Sequence, residues 1–295
     1  MFKINELKEN DFTIVELSNA SKTSIAKICL NEGARVVNLD LNAKNIIEEQ
    51  AHFKYKDSYA SAILFPFAGR LENGVYSFKA KEYQLNCNHK NNAIHGLVYN
   101  KNFQITSVNE QQDYCAITLE YLETSPNSGF PFTFLIAITY TLYAKKLITT
   151  VKVTNTDTKE FPFGLGWHPY FKLEDIENTT LRLNSLKKAV VNSDMIPTQL
   201  EETIIRKPIS LKETLLDDCF LVKENNVTLE MSTHLLQIIT DKAPYYFQVF
   251  TPNNLPLVAI EPLTGLPDNF NNLEGLRVLN SKESYTQNWT VFLQD

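Results

Sequence analysis

Two ionisable side chains stand in unusual local settings: His168 in GLGWHPYF and Glu261 in LVAIEPLTG each precede a proline. Proline pushes the residue before it out of the helical region, so both should be held extended, at a strand end or a fixed turn. Trp167, Tyr170 and Phe171 further restrict the rotamers of His168. Glu261 closes an apolar run, and burial there would raise its carboxyl pKa toward working pH, where a general base is most efficient. An imidazole and a carboxyl held in this way can trade protons with a substrate. His95 in AIHGL, Arg70 in FPFAGRLENGVY and Asp217 in LLDDCF would add hydrogen-bonding groups. Each also has a plainer reading. The histidines can bond to backbone, Glu261 can be a solvated strand terminus, Arg70 can pair with a surface acid, and Asp217 can cap a turn or helix.

Other chemistries lack their signatures. His52, His89, His95, His168 and His234 show no HxH or HExxH spacing, so no metal is expected. GxSxG, GxGxxG and GxxxxGK[ST] are absent, which argues against a serine hydrolase and a nucleotide-binding loop. Cys29, Cys87, Cys115 and Cys219 form no CxxC pair and are expected as buried free thiols.

The elements that must position these residues are strands. In TFLIAITYTLYAKKLITTVKVTN, Phe134, Ile136, Ile138, Tyr140 and Leu142 share one parity and Leu147, Val151 and Val153 another, which predicts two strands joined by an Ala-Lys-Lys turn. SIAKICL, YCAITLEYL, YFQVF, LVAIE and YTQNWTVFL are similar runs, separated by Asn, Asp, Gly and Pro clusters. Helical periodicity is confined to short pieces such as KDSYASAI. Many short strands predict an all-β sandwich or barrel.

With 295 residues, 43% hydrophobic and 21% charged, the chain has ample material for a core. No linker, repeat or low-complexity tract divides it, so one domain over residues 1–295 is expected. A net charge of -6 with mixed signs offers no stripe for nucleic acid. MFKINELKENDF lacks an apolar signal core and no run reaches membrane-spanning length, so a cytoplasmic location and no membrane partner are expected. A monomer is expected as well.

In order, FPFAGRLENGVY, AIHG, GLGWHPYF, LDDCF and AIEPLTGLPDNFN resemble the aldose 1-epimerase (galactose mutarotase) family, with GARVVNL resembling its opening strands. The resemblance spans Arg70 to Asn271. It implies a large antiparallel β-sandwich with a sugar cleft, a small-molecule aldose as partner and no metal or organic cofactor. It further implies Glu261 as base, His168 as acid, and Arg70, His95 and Asp217 as substrate-binding residues. Asp217 is preferred to Asp218 because the matching pattern is D-x-x-F, ending at Phe220. On that reading the base takes the C1 hydroxyl proton as the acid protonates the ring oxygen, the ring opens, C1 rotates and the ring recloses. The predicted pH dependence of kcat/KM is a bell. Trp167 is a candidate cover for an apolar sugar face and equally a candidate for core packing. Leu97 departs from the second glycine expected after His-Gly in the galactose mutarotases, which leaves the sugar open. A hexose-6-phosphate epimerase would need further cations, for which Lys101 and Arg182 are candidates. The remaining alternatives are a glycoside hydrolase pairing Glu261 with Asp217 or Asp268, and a non-catalytic sugar-binding protein.

Overall fold

The hairpin predicted around residue 144 is the centre of the larger sheet. Strands Phe134–Tyr143 and Lys146–Asn155 pair with Leu142 opposite Leu147. Phe134, Ile136, Ile138, Tyr140 and Leu142 bury one face, and Leu147, Val151 and Val153 extend it. The turn is shorter than Ala-Lys-Lys because Lys146 already pairs with Phe292 in the next strand. This computed structural model describes residues 1–50, 53–253 and 255–294.

Around that hairpin runs an antiparallel nine-stranded sheet. Its order is Gln104–Glu110, Tyr114–Glu123, Phe134–Tyr143, Lys146–Asn155, Ser284–Gln294, Leu235–Thr240, Asn226–Glu230, Thr180–Arg182 and Ile209–Ser210. A second, eight-stranded sheet runs through Pro197–Glu202, Ser185–Val191, Asp217–Val222, Tyr245–Phe250, Leu257–Leu263, Gly166–Trp167 and Ile63–Leu64, with Tyr170–Lys172 also pairing Leu257–Leu263. GARVVNL supplies strand Arg35–Leu41 of a five-stranded meander between Phe2 and Glu48. The all-β, antiparallel sandwich expected from the sequence is the architecture observed.

One core lies between the large sheets. Ile136 and Ile138 from the first share one buried cluster with Phe247, Val249, Val258 and Ile260 from the second, and Trp167 stacks on Trp289 at 6.5 Å. Trp167 is fully buried there, so it belongs to the core and does not cover a sugar. Alternation of side chains along a strand then sends Leu257, Ala259, Glu261 and Leu263 to the opposite face. All seven residues of that strand are buried, which explains its continuous apolar run.

Two further sequence expectations need adjusting. The helix suggested at KDSYASAI is the single turn Tyr55–Ser58, ended by left-handed Tyr59 (φ 51°) and Ser61 (φ 63°) before strand Ile63–Leu64 begins. Cys29, Cys115 and Cys219 are buried free thiols as expected, but Cys87 is exposed. Its loop is polar on both sides, so nothing apolar is available to cover the thiol.

Candidate active site

Cross-strand register builds the site in rows. Glu261 pairs with Gln248, and Gln248 with Cys219. Tyr170 pairs with Ala259, which places His168, two residues earlier, level with Glu261 on its other side. The neighbouring row runs Tyr170, Ala259, Phe250, Asp217. Residues two apart along a strand share a face, so His168, Tyr170, Asp217, Cys219, Gln248, Phe250 and Glu261 point away from the core into one cleft of about 210 Å³.

His168 occupies the two-residue break between strands Gly166–Trp167 and Tyr170–Lys172. Its backbone is fixed by His168 N–H donating to Ala62 O (3.0 Å) and Ser61 N–H donating to His168 O (2.7 Å). Glu261, by contrast, does not close its strand, which runs through Pro262 to Leu263. Proline's fixed φ is compatible with an extended chain, so it restrains the residue before it without ending the strand.

A second arm supplies Arg70 and His95. The short strands Arg70–Leu71 and Ala93–Ile94 pair with Arg70 opposite Ile94, and His95 N–H donates to Gly69 O at 3.0 Å. His95 is left-handed (φ 61°), as is Gly96 (φ 75°). A Cβ at Gly96 would stand 2.2 Å from the carbonyl oxygen of Phe65, a backbone atom that cannot swing aside. Gly96→Ala should therefore lower stability by about 3 kcal/mol or more, read as a fall in the urea midpoint, and should displace His95 in whatever fraction folds. Asn88 anchors the same arm: its Oδ1 accepts from Ile94 N–H (2.8 Å), while its Nδ2 donates to Ile94 O and to the Tyr59 hydroxyl (both 3.1 Å). The Tyr59 ring then rests on the His95 imidazole at 4.8 Å.

The five residues singled out in the sequence thus line one cleft. Glu261 Oε1 faces His168 Nε2 at 3.4 Å with both residues buried, and the imidazoles of His95 and His168 meet edge-on at 4.9 Å. Asp217 and Asp218 separate cleanly: Asp217 lines the cleft and accepts from Gln248 Nε2 at 2.7 Å, while Asp218 pairs with Lys188 outside it. Gln248 was not singled out. Its signal was a lone amide at the centre of YFQVF, with Phe247 and Val249 flanking it in the core.

Electrostatics distinguish the two central groups. Burial, then the nearby Asp217 carboxylate, pushes Glu261 well above the usual carboxyl range, against the opposing pull of Arg70. Burial likewise lowers His168 to about 4, and lowers His95 well below an ordinary histidine, helped by His168 and Arg70. Desolvation disfavours charge on either partner, so both Glu261 and His168 are biased toward their neutral forms.

Possible metal ligation reduces, among the described residues, to His95, His168 and Glu261, whose ligand atoms all lie within 4.8 Å of one another. They converge from separate strands, which no sequence spacing could reveal. Ligand atoms around a tetrahedral zinc sit about 3.4 Å apart, so this trio is wide for the ion and better spaced to flank an organic substrate. His52 lies outside the described residues.

Leu97 packs against the core and lines a neighbouring hollow, so its departure from glycine does not alter the cleft wall. Lys101 lies in that same hollow beside Glu123 (3.5 Å), and Arg182 pairs with Glu230 (2.7 Å). Neither reaches the cleft.

Comparisons with known proteins agree with this architecture. The chain is 24% identical over 251 residues to the uncharacterized protein YihR of Escherichia coli K12, covering 80% of each. Its structure superposes on a galactose mutarotase-like protein from Clostridium acetobutylicum with a TM-score of 0.88 at 19% identity, covering 100% of this chain and 99% of that one. A galactose 1-epimerase from Lactobacillus acidophilus gives a TM-score of 0.82 at 17% identity, covering 100% and 98%. These likenesses fix the fold, and the aldose 1-epimerase family model matches residues 13–291, so the chain belongs to the aldose 1-epimerase family.

Proposed function

We propose that this protein interconverts the α and β anomers of a free, uncharged aldose, with Glu261 and His168 as the proton-transferring pair. The observation that carries the reading is the buried 3.4 Å approach of His168 Nε2 to Glu261 Oε1, at a place where Arg70, His95, Asp217 and Gln248 converge.

Anomer exchange needs a proton taken from O1 and a proton given to O5. With Glu261 ionised and His168 protonated, the carboxylate takes the O1 proton as the imidazolium gives its own to O5. The C1–O5 bond breaks and C1=O1 forms. The pair is left as protonated Glu261 and neutral His168, which is the arrangement that desolvation favours. The ring complex must adopt the less favoured ionised pair before transfer begins, and the transfer returns the pair to its favoured state. After rotation about C1–C2 the transfers reverse and close the other anomer. Arg70 and His95 donate to sugar oxygens and Asp217 accepts, which holds the ring in line for both transfers.

A sugar phosphate suits this cleft poorly. Arg70 is its one Lys or Arg among the described residues, against the carboxyls of Asp57, Asp217 and Glu261. Free galactose or glucose should be preferred to its 6-phosphate by at least about 10-fold in kcat/KM, measured by competition; the reverse preference would remove the uncharged-sugar assignment. A hydrolase reading also loses a carboxyl, because Asp268 lies outside the cleft and its Oδ1 accepts from Glu72 N–H (3.0 Å) and Asn271 Nδ2 (2.8 Å).

The deciding experiment follows optical rotation of freshly dissolved α-D-glucose and α-D-galactose with and without the protein. Acceleration supports the proposal. Sugar binding with interconversion at the uncatalysed rate would leave a non-catalytic sugar-binding protein.

A further inference from the structure

We propose that Asp268 is a positioning residue for Arg70: its carboxyl, on the loop that leaves the Glu261 strand, grips the turn after Arg70 and fixes where the guanidinium meets the sugar. The inference rests on the sugar-cleft reading above and adds to it a residue outside the cleft wall.

Residues 264–268 have no regular structure, so side chains set their path. At the start, Thr264 N–H donates to Leu165 O (2.9 Å) and Thr264 Oγ1 accepts from Leu165 N–H (2.8 Å), which ties the loop to the segment leading into His168. At the end, Asp268 is left-handed (φ 61°) and only 5% exposed. A non-glycine residue keeps that backbone only where its surroundings over-determine it. Here they do: Asp268 O accepts from Asn271 N–H (2.9 Å) and Asn272 N–H (3.0 Å), and Asp268 Oδ1 accepts from Glu72 N–H (3.0 Å) and Asn271 Nδ2 (2.8 Å). Asn271 Nδ2 also donates to Val75 O at 3.1 Å. Asp268 and Asn271 thus hold both ends of the turn Glu72–Gly74, which Arg70 enters two residues earlier.

The other side of Arg70 meets the same loop. Gly69 (φ 67°) lies so close to Pro267 that a Cβ there would stand 2.7 Å from the proline Cβ. Arg70 is therefore bracketed by Pro267 before it and Asp268 after it, and both come from the strand that carries Glu261. Burial raises the Asp268 carboxyl to about 6 against the pull of its two donors, so at neutral pH it is ionised and its bonds are charge-assisted. Asn73 N–H is held separately by Asn92 Oδ1 (2.9 Å), so loss of the carboxyl frees the Arg70 side of the turn alone.

Three variants test the grip. Asp268→Ala removes the acceptor, Asp268→Asn keeps one in the same place, and Glu72→Pro removes the donor. Leu71 is already extended (φ -117°, ψ 118°), the conformation that a residue before proline takes, so Glu72→Pro leaves the chain path open. Kinetics come from polarimetry, folding from the urea midpoint, and the state of Arg70 from its side-chain Nε–H signal in 1H–15N spectra. Asp268→Ala and Glu72→Pro should each raise KM roughly 5- to 20-fold with kcat within about 3-fold, while Asp268→Asn stays within about 3-fold in KM. In an Arg70→Ala background, Asp268→Ala should add less than about 2-fold to KM, because the group it positions is gone. The Arg70 signal should move in Asp268→Ala and hold in Asp268→Asn. A folded Asp268→Ala protein with unchanged KM and an unmoved Arg70 signal overturns the proposal, as does an equal rise in KM with and without Arg70. Should Asp268→Ala not fold, Glu72→Pro decides by the same two readings. If wild type does not accelerate anomerisation, the activity falls and the Arg70 signal alone decides: moved, it upholds the positioning role, and unmoved, it overturns it.

Discussion

Glu261→Gln and His168→Asn should each cut kcat/KM for anomer interconversion by about 10²- to 10⁴-fold while the protein remains folded. Each group is half of a paired transfer, so the loss of either leaves the reaction without a route for one of its two protons. The double variant should for that reason be little worse than the more damaged single one. Gln at 261 preserves volume and polarity in a position that is 3% exposed, and Asn at 168 retains a hydrogen-bonding group where the chain is held by Ser61 and Ala62. Circular dichroism and the urea midpoint report folding; polarimetry corrected for the uncatalysed rate reports activity. A folded Glu261→Gln variant within about 3-fold of wild type would remove the carboxyl from the proposed chemistry. Asp217→Asn, one strand row away and bound to Gln248, should act mainly on KM, because it contacts the sugar without moving a proton.

How much of this was legible in the sequence follows from the range of the interactions concerned. The hairpin Phe134–Asn155 was readable because period-two alternation is local and switches parity across the short Ala144-Lys145 turn. His168 and Glu261 were readable as restrained groups because each is followed by proline, a restraint confined to adjacent residues. Their meeting was not, since residues 168 and 261 lie on different strands and only cross-strand register brings them level. Gln248 was missed for the same reason. Its role depends on lying between Cys219 and Glu261, neither of which neighbours it in sequence. Trp167 was ambiguous between cleft and core. Adjacent to His168, it looked available to a ligand, but neighbours in an extended chain face opposite ways, and what points His168 at the cleft points Trp167 at Trp289. The choice of Asp217 over Asp218 came from family resemblance and has a physical counterpart in that same alternation, which turns Asp218 outward to Lys188.

The pH dependence should be a bell with its limbs spread apart. One proton shared by the pair defines the competent state, so activity falls when a second proton is added and when the shared one is lost. The acid limb belongs to His168, lowered to about 4, and the alkaline limb to Glu261, raised well above the ordinary carboxyl value. An acid limb near the ordinary histidine value of about 6.5 would show that burial does not govern His168. The same shifts leave a signature in stability. Between the unfolded carboxyl pKa and the raised folded one, folded Glu261 keeps a proton that the unfolded chain has lost, so stability falls as pH rises through that window. His168 acts on the other side. Its depressed pKa contributes stability above about 6.5 that is lost as pH falls toward 4. Glu261→Gln should therefore melt at about the same temperature as wild type below pH 4.5, and several degrees higher at alkaline pH, where the buried carboxylate is no longer present to oppose folding. His168→Asn should lose the acid-side decline and keep the alkaline one. A difference in melting temperature between wild type and Glu261→Gln that moves in wild type's favour as pH rises would mean that the ionised carboxylate is stabilised in the cleft. The shared proton would then reside on His168, and the ionised pair would be the arrangement the cleft favours.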